Sequence, residues 1–253
     1  MCMRRVALPA LILPALILAF SPIAARADAF LEPIGAGKLI VTSRFEDAGR
    51  GWGRSGKLEP IAAYRKFTLS ATTEYGAFED LTFIMRADGG FTHGAGGPQH
   101  GSLGLGGRYA LLRRGDFILS AEAFTAAGND ADAPPGARST AFADIRLAAG
   151  QSFRIAGLDA FATLSAGARL TPGAIENRLD ATFGLRATTD ILLLAQSFNR
   201  WSAGGAPRSH KLQGSVVWTF ARDWSVQAGL YGTVAGRGQG RQTGALTALW
   251  RRF

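Results

Sequence analysis

The sequence predicts an all-β protein, a transmembrane antiparallel up-and-down β-barrel of about twelve strands. Three observations predict it: short segments that alternate between apolar and polar side chains, a turn signal that recurs along the chain, and a secretory leader. The chain has 253 residues, a length that suits one β-barrel of about 200–250 residues. Its mean hydropathy of +0.08 is too polar for a bundle of membrane helices.

The leader occupies residues 1–29. Arg4 and Arg5 precede an apolar run over 6–20, and small residues provide cleavage sites after Ala27 or Ala29. An uncleaved membrane anchor is the alternative, but this run is shorter than the about 20 residues that a spanning helix needs. We therefore expect 1–29 to be a cleaved signal peptide and 30–253 to form the barrel. Cys2 is the only cysteine, so the mature chain has no disulfide.

Strict alternation runs through stretches such as 179–187 and 224–234, as expected for strands with two different faces. An aspartate stands at the start of five strand patterns, at intervals of 36, 43, 31 and 33 residues; these are Asp80, Asp116, Asp159, Asp190 and Asp223. One hairpin fits each interval. The longer connections predicted between strands are 47–60, 89–101, 127–139, 171–177, 202–209 and 235–241. Short turns at one end and long loops at the other are typical of outer-membrane barrels.

Charge decides which face is inside. Twelve closed strands enclose a cylinder too wide for a core of Ala, Leu and Phe, so the apolar face should meet lipid and the charged face should line a wet lumen. The predicted lumen-lining residues are Arg44, Glu46, Lys66, Glu74, Arg86, Asp88, Arg108, Glu122, Asp144, Arg146, Arg169, Arg178, Asp180 and Arg186. These are eight cations and six anions, which predicts a slight preference for anions if the lumen is open. If neighbouring charges simply pair, the lumen is instead narrow and largely plugged.

The chain ends at Phe253 on an alternating segment. A terminal aromatic resembles the signal read by the barrel-assembly machinery of bacterial outer membranes, although Arg251 stands where a second aromatic is usual. We expect this machinery, outer-membrane lipid and lipopolysaccharide as partners, and the bacterial outer membrane as the location. A secreted β-sandwich is the alternative.

Two segments carry a resemblance to a family. Residues 30–45 (FLEPIGAGKLIVTSRF) and 74–83 (EYGAFEDLTF) resemble bacterial outer-membrane barrels related to phenol meta-pathway transporter-like proteins and to XagA-type adherence proteins. The resemblance covers roughly the first third of the chain. It implies a transporter-like role or a link to surface polysaccharide, and it implies no catalytic residue.

The residues that carry chemistry are few. His93, His100 and His210 lie in or beside predicted loops, without the further ligands that a metal site needs. Ser209 and Ser215 have the opposite strand parity to His210, which disfavours the Ser–His pair of a lipid hydrolase. We expect no metal, no cofactor and no enzymatic activity. The moderate charge of +9 is spread along the chain and does not indicate a nucleic-acid partner.

The sequence thus predicts a transporter-like barrel or small-solute channel. A surface adhesion or polysaccharide-associated barrel, presenting loops 47–60 and 127–139, is the alternative from another class, and a lipid hydrolase is the third. A monomer is expected, because neither a plug nor an oligomer-forming strand is evident in the sequence.

Overall fold

A computed structural model describes residues 29–94, 100–129, 141–203 and 207–253. Within these ranges the chain forms a sheet of thirteen strands. They are β1 Gly37–Trp52, β2 Leu58–Phe78, β3 Leu81–His93, β4 His100–Arg114, β5 Phe117–Asn129, β6 Ala141–Ile155, β7 Leu158–Thr171, β8 Ala174–Arg186, β9 Ile191–Ser202, β10 Arg208–Ala221, β11 Trp224–Arg237, β12 Gln239–Gly240 and β13 Thr243–Arg252. No helix in these ranges has the length and apolar character needed to cross a membrane.

The sheet closes on itself because β1 pairs with β2 along one edge and with β13 along the other. Every strand runs antiparallel to its neighbours, and β12 adds two residues opposite Gly51 and Trp52 of β1. The wall is therefore a twelve-strand barrel with one short extra strand at its rim. This confirms the predicted fold class.

Both the start of β1 and the end of β13 lie at the end of the barrel that carries the short turns. Gly37 and Phe253 exchange two backbone hydrogen bonds there, with N···O distances of 2.7 and 3.0 Å. The turn between β6 and β7 consists of Ala156 and Gly157, which both have positive φ, as a tight type I′ hairpin requires. Short turns face the periplasm in outer-membrane barrels, so we call this the periplasmic end and the opposite one the outer end.

The strands extend further than predicted, and several predicted loops are wrong as a result. The connection predicted at 47–60 is a loop only over 53–57, and that predicted at 171–177 shrinks to 172–173. Asp159, expected just before a strand, is the second residue of β7. Backbone pairing continues beyond the apolar band, where polar side chains and glycines can face water on both sides of the wall. Most of the predicted loop 127–139 lies outside the described residues.

The outer surface of the wall is apolar. Large exposed side chains alternate with inward ones around the barrel, and they include Phe45, Leu69, Phe83, Met85, Leu105, Ile145, Leu147, Leu164, Leu193, Val216, Leu230 and Leu249. Aromatic side chains mark the periplasmic rim, where Tyr75, Tyr109, Trp218 and Phe220 are exposed. An apolar band with aromatic rims is the surface that a lipid bilayer requires of a barrel.

Candidate functional site: the barrel interior

The structure places the fourteen predicted lumen residues on the interior face of the wall. Eight of them line one central cavity of about 320 Å³: Arg44, Glu74, Arg86, Asp88, Arg146, Arg169, Arg178 and Asp180. Asp144 forms ion pairs with arginines of this group. Glu46 and Lys66 line a second cavity of about 110 Å³ nearer the outer end. Arg108 and Glu122 pair at the periplasmic end, and Arg186 donates to the Thr189 carbonyl beside a periplasmic turn.

Asp144 organises the charge around the central cavity. Its side chain is only 2% exposed, and it accepts two hydrogen bonds from Arg169, at 2.9 and 2.7 Å. Arg146 and Arg178 approach the same carboxylate at 3.8 and 3.9 Å. Three guanidinium groups thus share one carboxylate. Together they form a charge-assisted and largely dehydrated network.

Two further carboxylates complete this network without neutralising it. Asp180 accepts a hydrogen bond from Arg146 at 3.3 Å, and Glu176 lies 2.7 Å from Nη2 of Arg178. Arg200 on β9 stands directly opposite Arg178 on β8 in the strand register. The four arginines in this region therefore exceed the three carboxylates by one positive charge, which gives this wall of the cavity a cationic character.

Aromatic rings support two of the arginines from the wall. The Arg169 guanidinium lies 4.0 Å from the centroid of Phe142, and that of Arg86 lies 5.3 Å from the centroid of Phe124. The two rings contact each other, with centroids 6.3 Å apart. Cation–π contacts of this kind fix the planes of the guanidinium groups.

An apolar wall faces the same cavity, and the sequence did not indicate it. Phe161, Leu192 and Leu194 point inward from β7 and β9 and pack together with Val217 of β10. Trp250 of β13 packs against this cluster. The interior is therefore not uniformly charged, which corrects the expectation that apolar side chains lie only on the lipid side.

The chain ahead of β1 fills the periplasmic end of the barrel. Ala29 is fully buried and Leu31 is 2% exposed, and both pack on inward side chains of β4, β5 and β6. Gly150 provides the room, because a Cβ there would lie 2.8 Å from that of Ala29. Phe30 stands edge-on to Phe161, with centroids 6.4 Å apart. This finding corrects the expectation of a barrel without a plug.

Polar groups fix this segment in place. The Arg108 guanidinium donates to the Phe30 carbonyl at 3.0 Å, and the Ser120 hydroxyl donates to the Ala29 carbonyl at 3.1 Å. The amide of Glu32 donates to Thr82, and the Glu32 carboxylate lies 3.2 Å from the ammonium of Lys38. We call residues 29–36 the inner segment; Ala29 belongs to the mature chain when cleavage follows Ala27, the first of the two sites in the sequence.

The outer end narrows around Glu46. Its carboxylate accepts hydrogen bonds from Tyr231 at 3.1 Å and from Gln242 at 3.0 Å. The ammonium groups of Lys211 and Lys66 lie 3.6 and 3.9 Å away. Among the residues that the structure describes at this end, side chains form the constriction, in contrast to the backbone segment at the other end.

Sequence reasoning missed several interior charges, namely Lys38, Glu176, Arg200 and Lys211. Lys38 and Glu176 lie beyond the strand boundaries that alternation indicated. Residues 191–200 are apolar on both faces, so their parity was ambiguous until the register of β9 placed Leu192, Leu194 and Arg200 inside. Extending each alternating segment by its own parity would have found Lys38.

His93, His210 and the two serines considered in the sequence analysis do not line the central cavity. His93 is exposed at the end of β3, and His210 lies on the opposite face of β10 from Ser209 and Ser215, both buried in the interior. Nη2 of Arg208 is 3.4 Å from Nε2 of His210. Phe253 lies at the barrel seam, where its ring covers Gly37.

Comparison with known proteins relates this architecture to solved barrels. No protein-family model and no curated protein sequence matches the chain. An outer membrane channel from Pseudomonas putida F1 is similar in structure, with a TM-score of 0.69 and 13% identity over 91% of this chain and 100% of that one. The KdgM porin has a TM-score of 0.54 and 8% identity over 85% of this chain and 99% of that one. The translocator domain of the autotransporter NalP from Neisseria meningitidis has a TM-score of 0.52 and 14% identity, over 86% of this chain and 88% of that one.

These similarities show the fold of bacterial outer-membrane barrels. Together with the closed hydrogen-bonded wall and the apolar exterior, they place the chain in the bacterial outer membrane.

Proposed function

We propose that this protein is a small-solute channel of the outer membrane, with a transporter-like role. The observation that carries the proposal is the charged cavity of about 320 Å³ enclosed by a closed barrel, with arginines along one wall. Cavities of about 300–1,000 Å³ accommodate small organic molecules. The similar structures include an outer membrane channel and a porin, which supports a channel, as does the resemblance of residues 30–45 and 74–83 to transporter-like barrels.

Both ends of the barrel are narrow, so we expect a low conductance. The inner segment occupies the periplasmic end, and the side chains around Glu46 constrict the outer end. The excess of arginine along the cavity favours anions, because charged side chains in a pore select ions of the opposite sign.

Planar-bilayer recording of the purified protein tests this proposal. We expect small unitary currents, and a reversal potential in a KCl gradient that indicates a mild preference for chloride. Strong potassium selectivity would contradict the assigned interior face. Silent bilayers, together with liposomes that do not swell in small sugars or amino acids, would favour a surface adhesion barrel instead.

A further inference from the structure

The central cavity has two chemically different walls. Toward the outer end stand guanidinium groups from β6, β7, β8 and β9, those of Arg146, Arg169, Arg178 and Arg200. Nearer the periplasmic end, on the same strands β7 and β9, stand Phe161, Leu192 and Leu194. Both groups line one continuous space, so a molecule that extends along this space contacts both of them.

The cationic wall is suited to one anionic group. Asp144, Asp180 and Glu176 already balance three of its positive charges, so a bound anion meets an excess near one unit. Guanidinium groups bind carboxylates through paired, charge-assisted hydrogen bonds. A monoanion such as a carboxylate or sulfonate matches this excess, whereas a polyanion would face the three carboxylates.

The apolar wall is unusual for a water-filled pore. Barrel lumens in the outer membrane are generally polar, but here Leu192, Leu194 and Val217 replace polar side chains at three neighbouring inward positions. Phe30 of the inner segment packs on this cluster. An apolar side chain has thus already been accommodated at this wall, which shows that it accepts a hydrocarbon surface.

Together these observations lead us to an inference that rests on the proposed function and specifies its solute. We propose that the cavity selects amphipathic organic monoanions, with the acidic group on the arginine wall and the apolar body on the wall of Phe161, Leu192 and Leu194. Hydrophilic anions of the same charge use only the first wall. Neutral apolar molecules use only the second.

Three six-carbon probes separate these contributions. Hexanoate has the charge and an apolar chain, gluconate has the charge and a hydroxylated chain, and 1-hexanol has the chain without the charge. The measurement is the concentration of each that halves the chloride current through the protein in planar bilayers. Burial of each methylene is worth roughly a factor of four in binding, so two buried methylenes predict half-block by hexanoate at a concentration about fifteenfold lower than by gluconate. We expect 1-hexanol to block least.

Variants assign the effect to each wall. Leu194→Gln should raise the half-blocking concentration of hexanoate and leave that of gluconate unchanged, and Leu194→Met should restore hexanoate block. Arg200→Gln should weaken block by both anions. Leu193→Ala is the matched control, because Leu193 is the neighbouring residue on the lipid-facing side and is 39% exposed.

The outcomes distinguish this inference from the proposed function. If chloride passes but hexanoate and gluconate block equally, the protein is a channel without an amphipathic site, and the inference is wrong. Block by 1-hexanol as strong as by hexanoate would remove the role of the arginine wall. Absence of chloride current would overturn the proposed function and this inference with it. The comparison of probes uses the unaltered protein, so it decides the question even if a variant does not fold.

Discussion

The two ends of the barrel are closed in different ways. At the periplasmic end a continuous piece of backbone, the inner segment, lies inside the wall with its carbonyls bonded to Arg108 and Ser120. At the outer end individual side chains converge on Glu46. A backbone segment held by several bonds leaves or stays as a unit, whereas side chains change rotamer one at a time on faster timescales. Under the proposed channel function, we therefore expect the periplasmic end to control whether the barrel conducts and the outer end to adjust the size of the conductance.

The largest effect is expected from Arg108→Ala, which tests the periplasmic closure. Arg108 is 3% exposed and contacts Glu122 at 2.7 Å, Glu74 at 3.5 Å and the Phe30 carbonyl. Its removal leaves buried carboxylates without this partner and frees the inner segment. Breaking a buried ion pair costs about 3–5 kcal/mol, so we expect a lower temperature of thermal unfolding in detergent and a marked rise in conductance.

Arg113→Ala is the matched control for this change. Arg113 pairs with Asp80 at 3.1 Å at a periplasmic turn, but both side chains are more than 40% exposed. An exposed ion pair contributes about 0–1 kcal/mol, so unfolding and conductance should stay near those of the unaltered protein. Equal effects of the two variants would mean that Arg108 does not hold the closure.

An intermediate effect is expected from Asp144→Asn, which lies between the two ends. The change removes the negative charge shared by Arg146, Arg169 and Arg178 and makes the cavity more cationic. A unit charge at 4 Å is worth about 1 kcal/mol in water, so the chloride-to-potassium permeability ratio should rise by up to about fivefold. Reversal potentials in a KCl gradient measure this ratio.

Asp159→Asn serves as the control for selectivity. Asp159 pairs with Arg154 outside the cavity, and its side chain is 47% exposed. Its neutralisation should leave the permeability ratio unchanged. A fall in chloride preference on Asp144→Asn would show that the network collapses and that the cavity wall is not the selective element.

The smallest effect is expected from Glu46→Gln, which tests the outer closure. The amide keeps its size and can still accept a hydrogen bond, but it loses the attraction to Lys66 and Lys211. We expect conductance to change by less than about twofold, because the side chain keeps its size and one acceptor and the ammonium groups of Lys211 and Lys66 lie beyond hydrogen-bond distance, at 3.6 and 3.9 Å. The exposed Glu59 of β2 offers the matched change, Glu59→Gln, at the same end. If Glu46→Gln raised the conductance as much as Arg108→Ala, the periplasmic end would not have the larger effect on conductance, and the proposed difference between the two ends would be wrong.

Alternation along the sequence was sufficient to predict the wall. Leu179, Phe183 and Leu185 alternate with Arg178, Asp180 and Arg186, and the structure places the first set outward and the second inward. The period of two is a property of the extended backbone, so it survives without knowledge of the fold. It fails at 191–200, where both faces are apolar, and only pairing with β8 and β10 determines that Leu194 points inward.

Alternation could not predict which interior side chains meet one another. Asp144, Arg169 and Arg178 come from three strands, and their meeting depends on the register between them. Register is set by pairing over the whole sheet, and a shift by one residue would turn each of these side chains outward. The apolar wall has the same origin, because Phe161, Leu192 and Val217 are far apart in the sequence.

The sequence by itself determined a closed antiparallel barrel, its lipid-facing surface and the charged character of its interior, because these follow from local alternation and composition. The tertiary structure alone decided that the inner segment turns back into the lumen, that three arginines share Asp144, and that an apolar wall lines the same cavity. The reason is physical: local periodicity fixes the face on which a side chain lies, while the neighbours across that face depend on closure and register of the whole sheet.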